Sequence, residues 1–352
     1  MLQEVRPLRA RRPEGSRRSD ARVASTEGCY SRSVNARALL PALLSCTAVA
    51  PALAQGLPGY GPISPMAASR SGLQFQPYVD PSPGWQVELS FEYANSIELN
   101  ILVEDTVYLL DSELLRLGLS VTKDLGPRAF VFARGTFNGS YDGFLDGFVG
   151  WYHGLFGIDI PERDASPTNT FRYELGFPDG SRFTRSKSTG FLGDVRLGFG
   201  WRHSKHHQTT VSVTLPTSTG PEGYGRSTVS GNVTHTIRGD LARSLTIEAT
   251  GGLGHTPSTG DLERYQRSWF GMLTTGGRWR FWGRQSLYAN LLIHSSYYQD
   301  TRLPALDRKD TSLDFGWILE TSGGREWRIG MVEDLEPSGP AIDLVFRFGA
   351  RF

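Results

Sequence analysis

From residue 85 onward, bulky apolar and polar side chains alternate with a period of two. Trp85, Val87, Leu89, Phe91 and Tyr93 alternate with Gln86, Glu88, Ser90, Glu92 and Ala94, which puts five bulky groups on one face of a strand and leaves the other face largely polar. The pattern recurs at Val195, Leu197, Phe199 and Trp201 against Asp194, Arg196, Gly198, Gly200 and Arg202, and at Leu313, Phe315, Trp317 and Leu319 against Asp314 and Gly316. Such segments run about ten residues, the length a tilted strand needs to cross a bilayer. No stretch beyond residue 55 offers 18 consecutive apolar residues, which excludes a helical membrane protein. Twelve segments read as spanning strands: 85–97, 113–124, 128–138, 190–203, 207–216, 226–238, 243–254, 266–282, 285–298, 311–321, 325–334 and 340–352. Short turns are expected at Gly126-Pro127, Ser204-Lys205, Gly239-Asp240, Gly283-Arg284 and Gly323-Gly324.

A soluble β-sandwich also alternates, and three features favour a barrel. Many of the 41 glycines fall on the polar face, where a curved sheet crowds its inner wall. Trp85, Trp201, Trp279, Trp282 and Trp327 cluster beside short turns, as an aromatic girdle at a membrane interface does. At the C-terminus Ile342, Leu344, Phe346, Phe348 and Phe352 alternate with Asp343, Arg347, Gly349 and Arg351. This ending resembles the terminal strand of Gram-negative outer-membrane proteins. The resemblance implies delivery by periplasmic chaperones, recognition of Phe352 by the barrel-assembly machinery, and a location among outer-membrane lipid. The expected fold is all-β, an antiparallel transmembrane β-barrel of about 12 strands with both termini in the periplasm. If residues 101–110 and 170–177 also cross, the count becomes 14 and the segment 139–168 turns periplasmic.

Residues 139–189 are the longest connection, and loops of that size are usually functional or disordered. Tyr141, Phe144, Phe148, Trp151, Tyr152 and Phe156 argue for an ordered extracellular insert that folds over or into the barrel mouth, with a short amphipathic helix across 142–156. Asp179-Gly180 marks an outer hairpin. Residues 55–84 are rich in Pro and Gly and read either as a periplasmic lead-in or as a lumen plug. The run Gly143-Phe144-Leu145-Asp146-Gly147-Phe148 with Trp151, His153, Asn169 and Phe171-Arg172-Tyr173 resembles an uncharacterised family of Gram-negative outer-membrane proteins known only as a domain of unknown function. That resemblance implies an outer-membrane barrel and brings no activity, cofactor or catalytic residue.

Residues 38–50 form an apolar run followed by Ala52-Leu53-Ala54-Gln55, which fits a signal peptide cleaved after Ala54. Upstream, residues 1–37 hold nine Arg, no Lys and four acids. That is long for a signal-peptide n-region and points to a misassigned start with translation from Val34; a basic disordered extension is the rival. Taking those groups off totals of 37 basic and 36 acidic residues leaves 28 and 32. The mature chain is therefore mildly acidic, with no basic stripe of the kind nucleic acid needs. Cys29 and Cys46 both precede the cleavage site, so the exported chain has no thiol chemistry, and Leu43-Leu44-Ser45-Cys46 is only a loose lipobox.

Candidate chemistry is sparse. His294 and Ser296 sit two apart on one strand face, the spacing of an outer-membrane lipid hydrolase, with Asn290 or Glu320 as an orienting third group; ordinary lumen polarity is the plainer account. His203, His206 and His207 share a turn without the further ligand a metal site needs. Asp105, Asp111 and Glu113 read as a solvated outer loop rather than a calcium site. No cofactor or metal is expected. The inner wall should carry Glu88, Glu92, Arg116, Asp194, Arg196, Arg202, Glu248, Arg278, Arg280, Asp314, Asp343 and Arg347, a mixed-charge lining compatible with a narrow pore or a closed network. A passive channel for a small or hydrophobic solute is the leading functional expectation. A lipid hydrolase and a closed structural or surface-interaction barrel are the alternatives.

Overall fold

The structure is a computed structural model that describes residues 56–71, 73, 75–101, 107–156, 167–177, 180–335 and 344–352. The expected signal peptide and its upstream extension, and Asp105, Asp179 and Asp343, lie outside the described residues. Twelve antiparallel strands close a ring: β1 (Trp85–Ile101), β2 (Val107–Asp124), β3 (Ala129–Tyr141), β7 (Val195–Arg202), β8 (His207–Leu215), β9 (Ser230–Ala242), β10 (Leu245–His255), β11 (Trp269–Trp282), β12 (Gln285–His294), β13 (Asp310–Glu320), β14 (Glu326–Asp334) and β15 (Leu344–Arg351). The ring shuts where β1 pairs with β15, Glu88 opposite Arg351 through Asn95 opposite Leu344. Three short strands, β4 (Arg172–Gly176), β5 (Arg182–Thr184) and β6 (Phe191–Leu192), extend the loop end of β2 and β3.

Burial is inverted relative to a soluble protein. Phe91, Leu119, Phe199, Val211, Ile237, Leu253, Leu287 and Phe348 are exposed on the outer face, while Glu92, Arg116, Arg196, Glu248, Arg278 and Asp314 are buried inside. Period two explains the sorting, because adjacent Cβ atoms point to opposite faces. Leaving so many large apolar groups in water would cost about 25 cal/mol per Å², so the outer wall belongs in an apolar medium. Closure also satisfies the backbone of every wall strand from its two neighbours, the condition for crossing hydrocarbon.

Several local expectations change. Gly239 and Asp240 lie within β9, which runs on to Ala242; the turn falls at Arg243-Ser244, with a register shift between Leu245 and Thr246. Residues 107–111 continue β2 and pair with β4, so they form an outward extension of the wall and the count is twelve rather than fourteen. The helix expected in the insert forms as Asp146–Phe156, but not over the mouth. Its Phe148 ring lies 5.8 Å from Phe346 on the outer wall, and Phe144 lies 5.7 Å from Tyr93. Glu113 anchors this helix, accepting hydrogen bonds from the backbone N–H groups of Phe144 and Leu145 and from the Tyr93 hydroxyl. Asp111 accepts one from Thr170 (2.7 Å). Both acids are thus buried under the insert instead of solvated, because they sit on the outer face of β2 where the insert crosses it.

One close approach in the wall depends on glycine. Gly316 faces Gly330 across β13 and β14, and the Tyr288 ring lies over both; a Cβ at Gly316 would come within 2.3 Å of the Ile329 carbonyl oxygen. We expect Gly316→Val to abolish the fast-migrating band of unboiled protein on a detergent gel. Gly323→Ala, in a turn where a Cβ meets nothing within 4 Å, should preserve it, and equal behaviour of the two variants would refute this account of the wall.

Candidate functional site: a plugged lumen

The described residues between Gly56 and Val79 lie against the inner wall as a plug. The segment carries one short helix, α1 (Pro65–Arg70), with Pro at its start where a missing N–H costs nothing. Leu57, Ile63, Met66, Leu73, Phe75, Tyr78 and Val79 are all buried, yet polar contacts carry much of the docking. Arg116 donates to the backbone oxygens of Gly61 and Pro62 (both 2.6 Å), Arg347 to Gly59 O (2.5 Å), and Arg226 to Ser71 O (2.6 Å). In the other direction, Tyr78 N–H donates to Glu248 (3.2 Å) and Val79 N–H to Gln208 (2.9 Å). Arg70 reaches the wall and donates to Thr256 O, Pro257 O and Arg267 O; burial pushes its guanidinium down to about 10. A plug without regular ladders leaves its backbone polar groups open, and the wall's side chains fill that need.

The inner wall is an ion-pair network. Arg347 bridges Glu92 (3.1 Å) and Asp314 (2.6 Å), and Glu92 also binds Arg116. Arg278 joins Glu320 (2.5 Å) to Glu326 (3.0 Å), while Arg328 joins Glu326 to Glu88. Arg202 pairs with Asp124 (2.6 Å), Arg226 with Asp194 (3.2 Å), Arg238 with Asp80 of the plug (2.9 Å), and Arg280 with Glu320 (3.3 Å). Arg196 donates to Thr214 (3.1 Å). Burying such charges is tolerable only when each is paired and hydrogen-bonded.

Cavities remain between plug and wall among the described residues, two of them beside β2 and β3. One, of about 40 Å³, lies toward the short turns and is lined by Tyr78, Gln86, Glu88, Thr122, Arg134 and Arg351 among others. A second, of about 70 Å³, lies toward the loops and is framed by Arg116, Arg134, Asn138, Arg196, Thr214 and Arg226. Arg134 of β3 lines both. Its position was hidden in the sequence by Phe130 and Phe132, which share its face and are buried inside opposite Gly198 and Gly200; apolar groups on both faces conceal which one turns inward. Above the plug, Tyr173, Phe177, Phe183, Phe191, Tyr224, Phe270, Tyr297 and Tyr298 pack with Met66 and Leu73 into an aromatic cap. The strands β4 to β6 that close the insert, rather than its helix, contribute to this cap.

The remaining candidates sit as follows. His294 lies inside, but its Nε2 meets the Ser71 hydroxyl of the plug (3.1 Å) and its Nδ1 the Ser295 carbonyl oxygen (2.6 Å). Its ring stacks on Tyr297. No hydrogen bond joins it to Ser296 among the described residues. Asn290 is bonded to Asp314 and Glu320 to arginines, so the structure uses His294 as a joint between plug and wall. His206 turns to the Arg238 carbonyl oxygen (3.0 Å), and His235 joins His203 and His207 on the outer face instead. Among the described residues no group of three potential ligands is spaced for a metal. Trp85, Trp201, Trp279 and Trp282 are exposed at the short-turn end. Trp327 packs on Phe348 and Phe352, and Phe352 itself exchanges backbone hydrogen bonds with Val87.

The chain belongs to a family described as "Protein of unknown function (DUF3187)", whose model matches residues 42–352. No curated protein matches it in sequence. Among solved structures it is similar to the COG4313 outer membrane channel from Pseudomonas putida F1, at 12% identity and a TM-score of 0.50 over 78% of this chain and 99% of that one. It is also similar to the P. putida toluene transporter TodX, at 9% identity and a TM-score of 0.39 over 82% and 90% of the two chains. At such identity the first likeness establishes a shared fold, that of bacterial outer-membrane barrels. The DUF3187 chain is thus a barrel of outer-membrane type.

Arg347 joins the wall network to the plug, so its removal should be felt globally. Arg347→Ala leaves Glu92 short of one cation and Asp314 as a buried carboxylate without its arginine, a loss of about 3–5 kcal/mol. The expected outcome is a lower urea midpoint for loss of the unboiled gel band. An unchanged midpoint would show that the network contributes little to stability.

Proposed function

We propose that this DUF3187 protein is a passive outer-membrane channel for a small solute, held here with its lumen closed by its own residues 56–84. The observation that carries the reading is the manner of that closure. Beside the apolar contacts of Leu57, Ile63, Leu73, Phe75 and Val79, the plug is docked through hydrogen bonds from wall side chains to its backbone carbonyl oxygens, together with the Arg238–Asp80 ion pair. A hydrogen bond from a guanidinium has a net worth of about 1.5–3 kcal/mol, and water can replace it when it opens. Such a plug is suited to shifting and rewetting. The two residual cavities mark the line along which water already finds room.

Exposed tryptophans at the short-turn end support an outer-membrane setting in which that end faces the periplasm. The charged inner wall favours a small polar solute over a hydrophobic one, since an apolar molecule gains little against paired arginines and carboxylates. The aromatic cap favours a second reading, a barrel closed for good that serves a structural role.

Planar-bilayer conductance separates the two. The intact chain should give small, infrequent steps, and a variant lacking residues 56–79 should give larger and more persistent ones. Silence from both, with the gel shift intact, would favour the closed barrel.

A further inference from the structure

We infer that the loop-side cavity framed by Arg116, Arg134, Arg196 and Arg226 binds a small oxyanion, with Arg134 as its recognition residue. The inference deepens the channel reading by naming a solute class, and rests on that reading only for the step from binding to transport.

The cavity brings four guanidiniums together with a single carboxylate, Asp194. Three of the four have partners in the protein. Arg226 pairs with Asp194 (3.2 Å) and with Ser71 O, Arg116 with Glu92 and two plug carbonyls, and Arg196 with Thr214. Arg134 differs: among the described residues it forms no hydrogen bond and no close ion pair, and the carboxylates that act on it electrostatically, Glu92 and Glu88, are each held by another arginine. Its guanidinium is held between two glycines. A Cβ at Gly59 of the plug would come 3.8 Å from Nη1, and one at Gly118 of β2 would come 4.0 Å from Nη2. Neither neighbour therefore supplies a side chain, and the fork opens on the cavities on either side.

A half-buried guanidinium with its donors unspent is costly to keep, and a planar fork of this kind suits bidentate binding of phosphate, sulfate or a carboxylate. Thr136, Asn138 and Thr214 line the same space and can donate further hydrogen bonds to such an anion. The volume of about 70 Å³ has room for about five waters at 10–15 Å³ of probe-occupied volume each. A tetrahedral oxyanion fits on displacing most of them. Four guanidiniums against the carboxylates of Asp194, Glu92 and Glu88 leave a modest excess of fixed positive charge, which supplies the attraction in a confined, low-dielectric site.

The test is calorimetric titration of the full-length protein in detergent with sodium phosphate, at ionic strength held constant with chloride. Saturable binding is expected, weakened about tenfold or more in Arg134→Gln and by less in Arg134→Lys, which keeps the charge and loses the fork. Removing Arg134 breaks no ion pair, so the Gln variant should retain the unboiled gel band; if it does not, the Lys variant carries the comparison with the same direction expected. Absence of saturable phosphate binding by the wild type, or equal affinity in the folded variant, would overturn the inference. Binding in a protein that gives no conductance would uphold the site and remove the channel. Conductance without binding would do the reverse.

Discussion

The pairing of β1 with β15 is the contact on which the rest of this structure depends. Until Glu88–Asn95 lies against Leu344–Arg351, the two ends of the sheet expose unpaired N–H and C=O groups, and the inward arginines and carboxylates have no enclosed space in which to meet. Closure does both things at once: it removes the edges and it turns one face of every strand into a lumen. Glu88, on the first strand, can then reach Arg328 and Arg351 on β14 and β15, and Arg347 can reach Glu92 and Asp314. The last residue shares in this, since Phe352 and Val87 exchange backbone hydrogen bonds and the Phe352 ring packs against Trp327.

The plug follows from the same charge arrangement. A lumen lined this heavily with arginine needs acceptors, and the wall carboxylates do not occupy every donor. Backbone carbonyl oxygens of a Pro- and Gly-rich segment are a ready supply, because such a segment cannot use them in a ladder of its own. Gly59, Gly61, Pro62 and Ser71 each give their carbonyl oxygen to an arginine. Lumen and plug are in this sense complementary halves of one hydrogen-bonding account. The segment also packs apolar side chains, Leu57, Ile63, Phe75 and Val79 among them, against the inner wall, and it leaves small spaces beside β2 and β3.

The insert divides into two parts with different work. Its helix, Asp146–Phe156, lies on the outside of the wall with Phe148, Trp151 and Leu155 exposed, as an amphipathic element at a bilayer surface does. Glu113 and Asp146 fasten it there, the latter through Asn95 and the Asn169 N–H. The residues that follow fold back as β4 to β6 and lend Tyr173, Phe177, Phe183 and Phe191 to the cap over the plug. One long connection thus serves both the lipid-facing and the lumen-facing sides of the same end.

Period-two alternation and the turn residues were enough by themselves to determine the class of fold and the number of strands within one alternative, because these depend on local geometry in which every second side chain points the same way. Alternation says nothing about distance across the lumen. Which carboxylate each arginine meets, that Ser71 and not Ser296 lies against His294, that the described residues between Gly56 and Val79 lie against the inner wall, and that Arg134 faces a cavity between Gly59 and Gly118 were decided only by tertiary structure. Those contacts join residues tens to hundreds of positions apart, and the closing of the ring, rather than any local pattern, brings them together.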